Sequence, residues 1–354
     1  MRYLASEENA RQTIEKAVSL GINHIETARG YGKSEEYLGR AIASGLALPR
    51  SQLYITTKIP PTADASYLRR CLEESLERLQ LDYIDCLAIH GINTWEHLKL
   101  VRDEGGFAAV KQAVNDGIVK HVGFSSHGSL ELITEAIATD LFEFVSLHYY
   151  YFFARNAPAI DLAKSKNLGI FIISPADKGG MLYTPPQILK DICFPLTPLE
   201  LNYRFLLSDP GITTLSVGAA SAQELDEPLK YGDRDRELTP LELAAYQRLE
   251  AKLSELAGQK CSQCYACLPC PEQINIPEIL RLRNLAVAYD MREYGKYRYT
   301  MLENAGHWFP GNKGNHCTNC GDCLPRCPEQ LNIPQLLADT HQRLNGAPRR
   351  RLWE

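Results

Sequence analysis

Eight of the eleven cysteines stand in two short runs near the end of the chain, spaced closely enough to share metal centres. The runs are Cys261, Cys264, Cys267, Cys270 and Cys317, Cys320, Cys323, Cys327. A proline follows the last cysteine of each run. The chain opens without an apolar export signal, and clustered cysteines in such a chain favour metal binding over disulfides.

The second run matches the bacterial ferredoxin pattern C-x2-C-x2-C-x3-C-P in full. In that pattern three thiolates wrap one cubane and the fourth reaches the neighbouring cluster. The first run has two residues before Cys270, where the second has three before Cys327, so the exchange of these two ligands is the less constrained part of the assignment. The predicted [4Fe–4S] clusters are one held by Cys261, Cys264, Cys267 and Cys327, and one held by Cys317, Cys320, Cys323 and Cys270.

Zinc and disulfides are the alternatives for these cysteines. A zinc site built from cysteines uses four thiolates, typically as two C-x2-C pairs, and has no use for a regular third cysteine and a cysteine–proline. The pattern therefore favours paired clusters. The three remaining cysteines, Cys71, Cys86 and Cys193, are predicted to be small buried side chains.

The cysteine region also contains an internal repeat, because residues 270–280 return as residues 327–337 with few changes. Such a repeat indicates one supersecondary unit used twice. Pro277 and Pro334 each suit the first turn of a helix, so each cysteine run should lead into one. We predict a mostly α-helical dicluster ferredoxin domain over residues 258–354.

A second set of reactive side chains stands in the first hundred residues. Glu26-Thr27-Ala28 is followed by Tyr31-Gly32, and Lys58 and His90 end two later β-branched runs. In this order the residues resemble the aldo/keto reductases, and the resemblance covers about residues 7–228. It implies a barrel with its active site at the carboxyl ends of the strands.

The resemblance assigns a role to each member of this set. Tyr31 would be the general acid that protonates a carbonyl oxygen as hydride arrives at carbon. Lys58 would make that proton easier to release, Glu26 would pair with Lys58, and His90 would orient the substrate carbonyl. The family usually has Asp where this chain has Glu26.

The resemblance also implies a nicotinamide site along the later strand ends. The residues it assigns there are Ser125, Ser126, Ser146, Ser174, Gly218, Ser221 and Glu227, with His127 as an extra pocket residue. Where the family commonly offers Lys and Arg to a 2′-phosphate, this chain has Gly218 and Glu224. A carboxylate repels a phosphate, so we expect NADH to bind at least as tightly as NADPH.

The elements that must position these residues follow the rhythm of a βα barrel, in which β-branched runs alternate with amphipathic stretches. The predicted strands are 22–27, 53–58, 83–90, 119–125, 144–149, 169–174 and 213–218. A closed (β/α)8 TIM barrel has eight, and the resemblance places the missing first strand before Met1. The predicted domains are an aldo/keto reductase barrel over residues 1–238, a linker helix over 239–257 and the dicluster domain.

Composition limits the partners. The chain has 354 residues and a net charge of −5, and no stretch is apolar enough to cross a bilayer. We expect a cytoplasmic enzyme that binds a small carbonyl or alcohol substrate and a redox protein, with no nucleic-acid or membrane partner. A non-catalytic iron–sulfur electron carrier or redox sensor on a barrel scaffold is the alternative.

Overall fold

The computed structural model describes residues 4–233 and 236–348, which fold as two compact units. The first unit runs up to Pro175 and takes up the chain again from Asp209 to Arg236. The second comprises Ala176–Ser208 and the residues from Glu237 onward. The chain passes from the first unit to the second for the last time between Arg236 and Glu237, next to the boundary predicted at residue 238. Residues 176–208, which were predicted to be part of the barrel, also belong to the second unit.

The first unit is built on seven parallel strands that pair in chain order. They are β1 His24–Glu26, β2 Tyr54–Ile59, β3 Ile84–His90, β4 Val119–Ser125, β5 Phe144–Leu147, β6 Gly169–Ile173 and β7 Thr214–Ser216. All seven predicted strands are present, most of them shorter than predicted. The barrel fold class is confirmed.

Each strand of the first unit is joined to the next through helical segments, as parallel pairing requires. The helices of this unit are α1 Glu7–Ser19, α2 Ser34–Ala43, α3 Ala65–Leu79, α4 Trp95–Arg102, α5 Gly106–Asn115, α6 Leu130–Ala138, α7 Ala157–Ser165 and the short α10 Asp226–Leu229. Four of them begin at a polar side chain that accepts a backbone N–H of the first turn: Ser6, Asp64, Thr94 and Ser129. The helical connection from β6 to β7 passes through residues 176–208, which belong to the second unit.

Inward-facing apolar side chains fill the middle of the sheet. Cys86, Ala88, Phe144 and Phe171 form one buried cluster, in which the two phenylalanine rings stack 4.7 Å apart. A Cβ on Gly123 would lie 2.4 Å from the Phe144 carbonyl oxygen and 2.5 Å from its ring. Glycine at this position of β4 therefore makes room for the Phe144 ring.

The sheet is open between β7 and β1, since no pairing joins these two strands within residues 4–233 and 236–348. Side chains join the two edges instead. Ser216 at the end of β7 donates a hydrogen bond to Glu26 at the end of β1. Away from the strand ends, Lys16 on α1 pairs with Asp226 at 2.5 Å, and Ala17, Ala219 and Leu225 form a buried cluster beside them.

The second unit is helical. Its helices are α8 Gln187–Cys193, α9 Pro198–Leu207, α11 Pro240–Ser254, α12 Ile276–Ala288, α13 Arg292–Tyr299 and α14 Ile333–Leu344. The helix predicted as a linker, α11, is packed into this unit: Arg204 on α9 and Glu242 on α11 are both buried and lie 2.6 Å apart. The repeat-derived helices are confirmed as α12 and α14, each with proline in its first turn.

The three cysteines outside the two runs, Cys71, Cys86 and Cys193, are buried as predicted. Over the part of the chain that the structure describes, none of the helices has both the length and the apolar character needed to span a bilayer.

Candidate active site and candidate cluster sites

A layer of polar side chains lies at the carboxyl ends of the strands, above the apolar cluster. Side chains two residues apart on a strand share a face, so His90 and Ser146 point the same way as Ala88 and Phe144 of that cluster. Strand register places His90 opposite Ser125, and Ser125 opposite Ser146. The polar strand-end residues on this face are Glu26, Lys58, His90, Ser125, Ser146 and Ser216.

Lys58 is the centre of this layer. Its side chain is buried and its Nζ donates to the Glu26 carboxylate, with a second bond to the Thr27 carbonyl oxygen at 3.3 Å. The other carboxylate oxygen of Glu26 accepts from the Ser216 hydroxyl. Glu26 is thus held between β2 and β7, which fixes the Lys58 ammonium at the mouth of the sheet.

In the Lys58–Glu26 pair, each charge favours the ionised form of the other side chain. Burial disfavours the ionised form of both groups, but the opposite charge outweighs it. The Lys58 ammonium, followed by the hydrogen bonds from Lys58 and Ser216, holds the pKa of Glu26 well below its ordinary value. Glu26 and then Tyr31 hold the pKa of Lys58 above its ordinary value. Both side chains therefore stay charged near neutral pH.

Tyr31 and His90 complete the predicted set. The Lys58 Nζ lies 5.1 Å from the centre of the Tyr31 ring and also interacts with its hydroxyl. The Tyr31 and His90 rings meet edge to face, with their centres 5.6 Å apart. The structure thus brings together all four side chains that the resemblance assigned to catalysis.

The loop that carries Tyr31 is anchored by buried polar contacts. Glu35, at the start of α2, accepts from Thr57 on β2 at 2.6 Å and from Arg78 on α3 at 2.7 Å. Thr27 and Ser34 share a hydroxyl–hydroxyl bond of 2.6 Å across the same loop. These contacts hold the loop without involving the four catalytic candidates.

The serines predicted to contact nicotinamide differ in their bonding. Ser125 accepts from the Gly91 N–H at 3.1 Å, and Ser126 donates to the Ile92 carbonyl at 2.5 Å. The Ser146 hydroxyl is fully buried and has no hydrogen-bond partner among the described residues. An orphan hydroxyl of this kind is costly unless a bound group supplies its partner.

The remaining predicted cofactor residues lie at the ends of β6 and β7. Ser174 has a left-handed backbone, φ 54°, which is strained for a residue with a side chain. Gly218 is exposed, and Ser221 immediately precedes a single 3-10 turn. Glu224 accepts from the Ala220 N–H at 2.9 Å, and Glu227 accepts from Lys230 and Tyr231 at 2.5 Å each. Both carboxylates thus have local partners.

Sequence reasoning missed a chain of side chains on the same edge of the sheet. His127, after β4, bonds to His148, after β5, with 3.0 Å between His127 Nδ1 and His148 Nε2. The other ring nitrogen of His148 bonds to the Tyr150 hydroxyl, which donates to the Ile173 carbonyl at the end of β6. The sequence signal that could have revealed these bonded side chains is the pair His148 and Tyr150, two residues apart and just beyond the end of β5.

The last cysteine of each run lies near the other run. Cys270, Cys317, Cys320 and Cys323 line one cavity, together with Ile274, Ile276, Pro334 and Leu337. Burial raises the pKa of the Cys261 thiol to about 11, and the next charges acting on it are those of Cys264 and Cys327. Four thiols around one cavity fit a cubane, whose irons would stabilise them as thiolates.

The two runs also share an unusual backbone. Left-handed residues occur at three equivalent places in each copy: Gln263 and Asn319, Tyr265 and Gly321, Gln273 and Gln330. Their φ angles lie between 52° and 84°. The internal repeat is therefore a repeat of conformation as well as of sequence. Within the described residues, no group of three or more His, Cys, Asp or Glu is arranged to hold a single metal ion.

Comparison with known proteins agrees with this architecture. Residues 4–251 match the aldo/keto reductase family, which is well over half of the chain, and residues 260–333 match the 4Fe-4S dicluster domain. All eight clustered cysteines lie inside the second match. The chain therefore belongs to the aldo/keto reductase family, a family of oxidoreductases, and carries a two-cluster iron–sulfur domain.

Individual relatives match parts of the chain. An aldo-keto reductase of Mycolicibacterium smegmatis is 35% identical over 41% of this chain, and the match spans less than half, 46%, of that relative. The L-galactose dehydrogenase of Arabidopsis thaliana is 28% identical over 63% of this chain and 77% of its own. A solved aldo-keto reductase from Klebsiella pneumoniae, in complex with NADPH, shares the fold with TM-score 0.58 and 21% identity, covering 70% of this chain and 87% of that one.

Proposed function

We propose that this protein interconverts a carbonyl and an alcohol with a nicotinamide cofactor at the strand ends of its first unit. We further propose that its eight clustered cysteines hold two [4Fe–4S] clusters that exchange electrons with a redox protein. The observation that carries the first proposal is the buried Lys58–Glu26 pair beneath Tyr31. Two charges are kept out of water there, directly beside a phenol that can donate a proton.

The catalytic role of each side chain follows from this arrangement. Tyr31 donates its proton to the carbonyl oxygen of the substrate. The Lys58 ammonium stabilises the phenolate that is left, because Glu26 keeps Lys58 charged and in place. His90, edge-on to Tyr31, lies where its ring can bond the same carbonyl oxygen and orient it.

The nicotinamide, when bound, supplies a hydride to the substrate carbon. We assign its amide group to Ser125, Ser126 and Ser146, with Ser174 beside it. The buried orphan hydroxyl of Ser146 supports this assignment, because a ligand amide would give it a hydrogen-bond partner. The NADPH-bound structure from Klebsiella pneumoniae shows that the fold accommodates such a cofactor.

We assign the adenosine end to the stretch from Gly218 to Glu227. Gly218 offers no side chain to a 2′-phosphate, and Glu224 adds a negative charge four residues after Ala220, to whose N–H it bonds. The proposed order of affinity is therefore NADH at least equal to NADPH.

The thiols are assigned to the clusters as two crossed sets. The cavity lined by Cys317, Cys320, Cys323 and Cys270 would hold one cluster, and the first run with Cys327 would hold the other. Bound clusters transfer single electrons. Cys264 and Cys320, the second cysteine of each run, are exposed, which would give each cluster one edge toward a redox partner.

Replacement of Tyr31 by Phe tests the reductase proposal. The variant loses the proton donor and keeps the ring that packs on His90, so carbonyl reduction should fall by about 10²–10⁴-fold. Nicotinamide affinity, measured by calorimetry, should be nearly unchanged. Retained carbonyl reduction would exclude Tyr31 as the acid.

The wild-type protein tests the rest of the proposal. Purified without oxygen, it should contain about eight iron and about eight sulfide per chain. Two zinc ions without sulfide would refute the cluster assignment. Saturable nicotinamide binding without carbonyl reduction, combined with reversible cluster reduction, would instead favour the non-catalytic electron carrier.

A further inference from the structure

The series of hydrogen bonds from His127 through His148 and Tyr150 to the backbone carbonyl of Ile173 connects three neighbouring strand ends. His127 follows β4, His148 and Tyr150 follow β5, and Ile173 ends β6. His148 and Tyr150 are buried. The same three strand ends carry the serines to which we assign the nicotinamide amide, so the chain of bonds lies along that proposed site.

The final acceptor of the series, the Ile173 carbonyl, determines the direction of all its hydrogen bonds. The Ile173 carbonyl can only accept, so the Tyr150 hydroxyl donates to it. The Tyr150 oxygen then accepts from His148 Nδ1–H. In its neutral form His148 has one N–H, so its Nε2 accepts from His127 Nδ1–H. His148 must therefore donate at one end of its ring and accept at the other.

Both ends of this chain are attached to strained or tightly bonded backbone. At one end, the Ile173 carbonyl belongs to the peptide that precedes Ser174, whose φ of 54° is costly for serine. At the other end, the backbone N–H of His127 donates to the Asn93 side-chain oxygen at 2.8 Å, and Arg155 donates to the Gly128 carbonyl at 2.7 Å. The bonded side chains therefore hold the segments on which the nicotinamide serines lie.

We infer that His148 and Tyr150 are positioning residues for the nicotinamide site, which act by aligning the segment Ser125–His127 and the strained Ser174. The inference rests on the proposed function and adds residues that contact neither substrate nor cofactor in that proposal. A positioning role requires a side chain at 148 that both donates and accepts. Glutamine can do both, whereas leucine can do neither.

Three variants test this role, each examined as the full-length protein with its clusters. Tyr150→Phe keeps the ring and removes the bond to Ile173, and His148→Leu removes both bonds of the imidazole. Both should weaken nicotinamide binding by roughly three- to tenfold, the size of one lost hydrogen bond. His148→Gln should restore binding to within about twofold of wild type. The rate at saturating nicotinamide should change less than the affinity in all three.

Iron content and far-ultraviolet circular dichroism identify variants that fail to fold. If Tyr150→Phe and a folded His148→Leu bind nicotinamide as tightly as wild type, the positioning role is wrong while the proposed function stands. If His148→Gln is as weak as His148→Leu, the effect is one of packing, and the role is also refuted. If the wild-type protein binds neither NADH nor NADPH, the proposed function fails and this role fails with it.

Discussion

The two regions that carry the chemistry hold their reactive groups by different means. In the barrel unit, strand register brings Lys58 and Glu26 together, and Ser216 also bonds to Glu26. In the helical unit, each cysteine run lies in turns that precede a helix, α12 for the first run and α14 for the second. Burial raises the pKa of Cys267 to about 12, which disfavours the thiolate that a metal needs. The protein's own contacts organise the first site, and we expect bound clusters to organise the second.

Loss of a cluster ligand should give the largest effect and should be confined to one region. In Cys320→Ser, iron should fall from about eight to about four per chain, because one cubane loses a thiolate. Nicotinamide affinity should be unchanged, since the barrel site needs no cluster. Cys193→Ser is the matched control: this cysteine is buried and outside both runs, so iron should stay at about eight. Full iron in Cys320→Ser would exclude Cys320 as a ligand.

Breaking the charged pair in the barrel should have the next largest effect. Lys58→Met removes the ammonium that balances the buried charge of the Glu26 carboxylate, which should lower the free energy of unfolding by roughly 3–5 kcal/mol at pH 7. The loss should shrink as the pH falls, because protonation of Glu26 removes the buried charge.

The double variant Lys58→Met, Glu26→Gln is the control for that experiment. It removes both charges, so much of the stability should return although activity does not. Denaturant unfolding followed by circular dichroism measures both variants. Equal destabilisation by the single and double variants would mean that the pair does not preorganise the site.

Cofactor selection should respond to a single charge. Glu224→Arg should shift preference toward NADPH by about tenfold, or about 1.4 kcal/mol, because Arg bonds a 2′-phosphate that Glu repels. The variant also loses the bond to the Ala220 N–H. Glu224→Gln keeps an acceptor oxygen for that N–H and serves as the control. Calorimetry of wild-type protein that shows a tenfold preference for NADPH would contradict this assignment.

A smaller effect is expected from His24, which lies two residues before Glu26 on β1 and bonds to Thr56 at 2.7 Å. Burial lowers the pKa of His24 below its ordinary value. The unfolded chain then binds more protons than the folded one at pH values below about 6.5. Stability should therefore decline as the pH falls from about 7 toward 5.

The His24→Gln variant should flatten that decline, as measured by denaturant unfolding at several pH values. His121→Gln is the control, since His121 lies exposed on β4 and pairs with the exposed Glu143. An unchanged slope in His24→Gln would show that other groups titrate in this range.

Local patterns predicted most of the fold. β-branched runs marked all seven strands, and prolines after Thr239, Ile276 and Ile333 marked the starts of three helices. The four catalytic candidates could be named because their order along the chain resembles that of the aldo/keto reductases, and strand ends meet at one face of a barrel.

Contacts between distant residues were not predictable in this way. Ser216 and Glu26 are 190 residues apart in sequence. They meet because they lie at the ends of β7 and β1, the two edge strands of the sheet. The packing of residues 176–208 with the C-terminal helices depends on contacts such as Arg204 with Glu242, which have no local sequence signal. The bonds among His127, His148 and Tyr150 depend on the conformation of the loops that follow β4 and β5, which the periodicity of the sequence does not determine.

The smallest predicted effect tests whether the backbone of the cysteine turns is strained before clusters bind. Gly321 has φ 84°, and a Cβ placed on it would contact nothing within 4 Å. Gly321→Ala should therefore cost about 1 kcal/mol from backbone conformation alone. The equivalent residue in the first run is Tyr265, at φ 61°, so that copy already bears a cost of this kind and the second avoids it.

Gly258→Ala is the matched control for that comparison. Gly258 also has open space around its Cβ position but no left-handed backbone, so alanine there should be neutral or stabilising by up to about 1 kcal/mol. The measurement is the guanidinium concentration at which visible cluster absorbance is lost after a fixed time without oxygen, because cluster loss is irreversible. Gly321→Ala should lower this concentration and Gly258→Ala should not. Equal resistance of both variants would show that a left-handed backbone at position 321 carries no measurable cost for alanine.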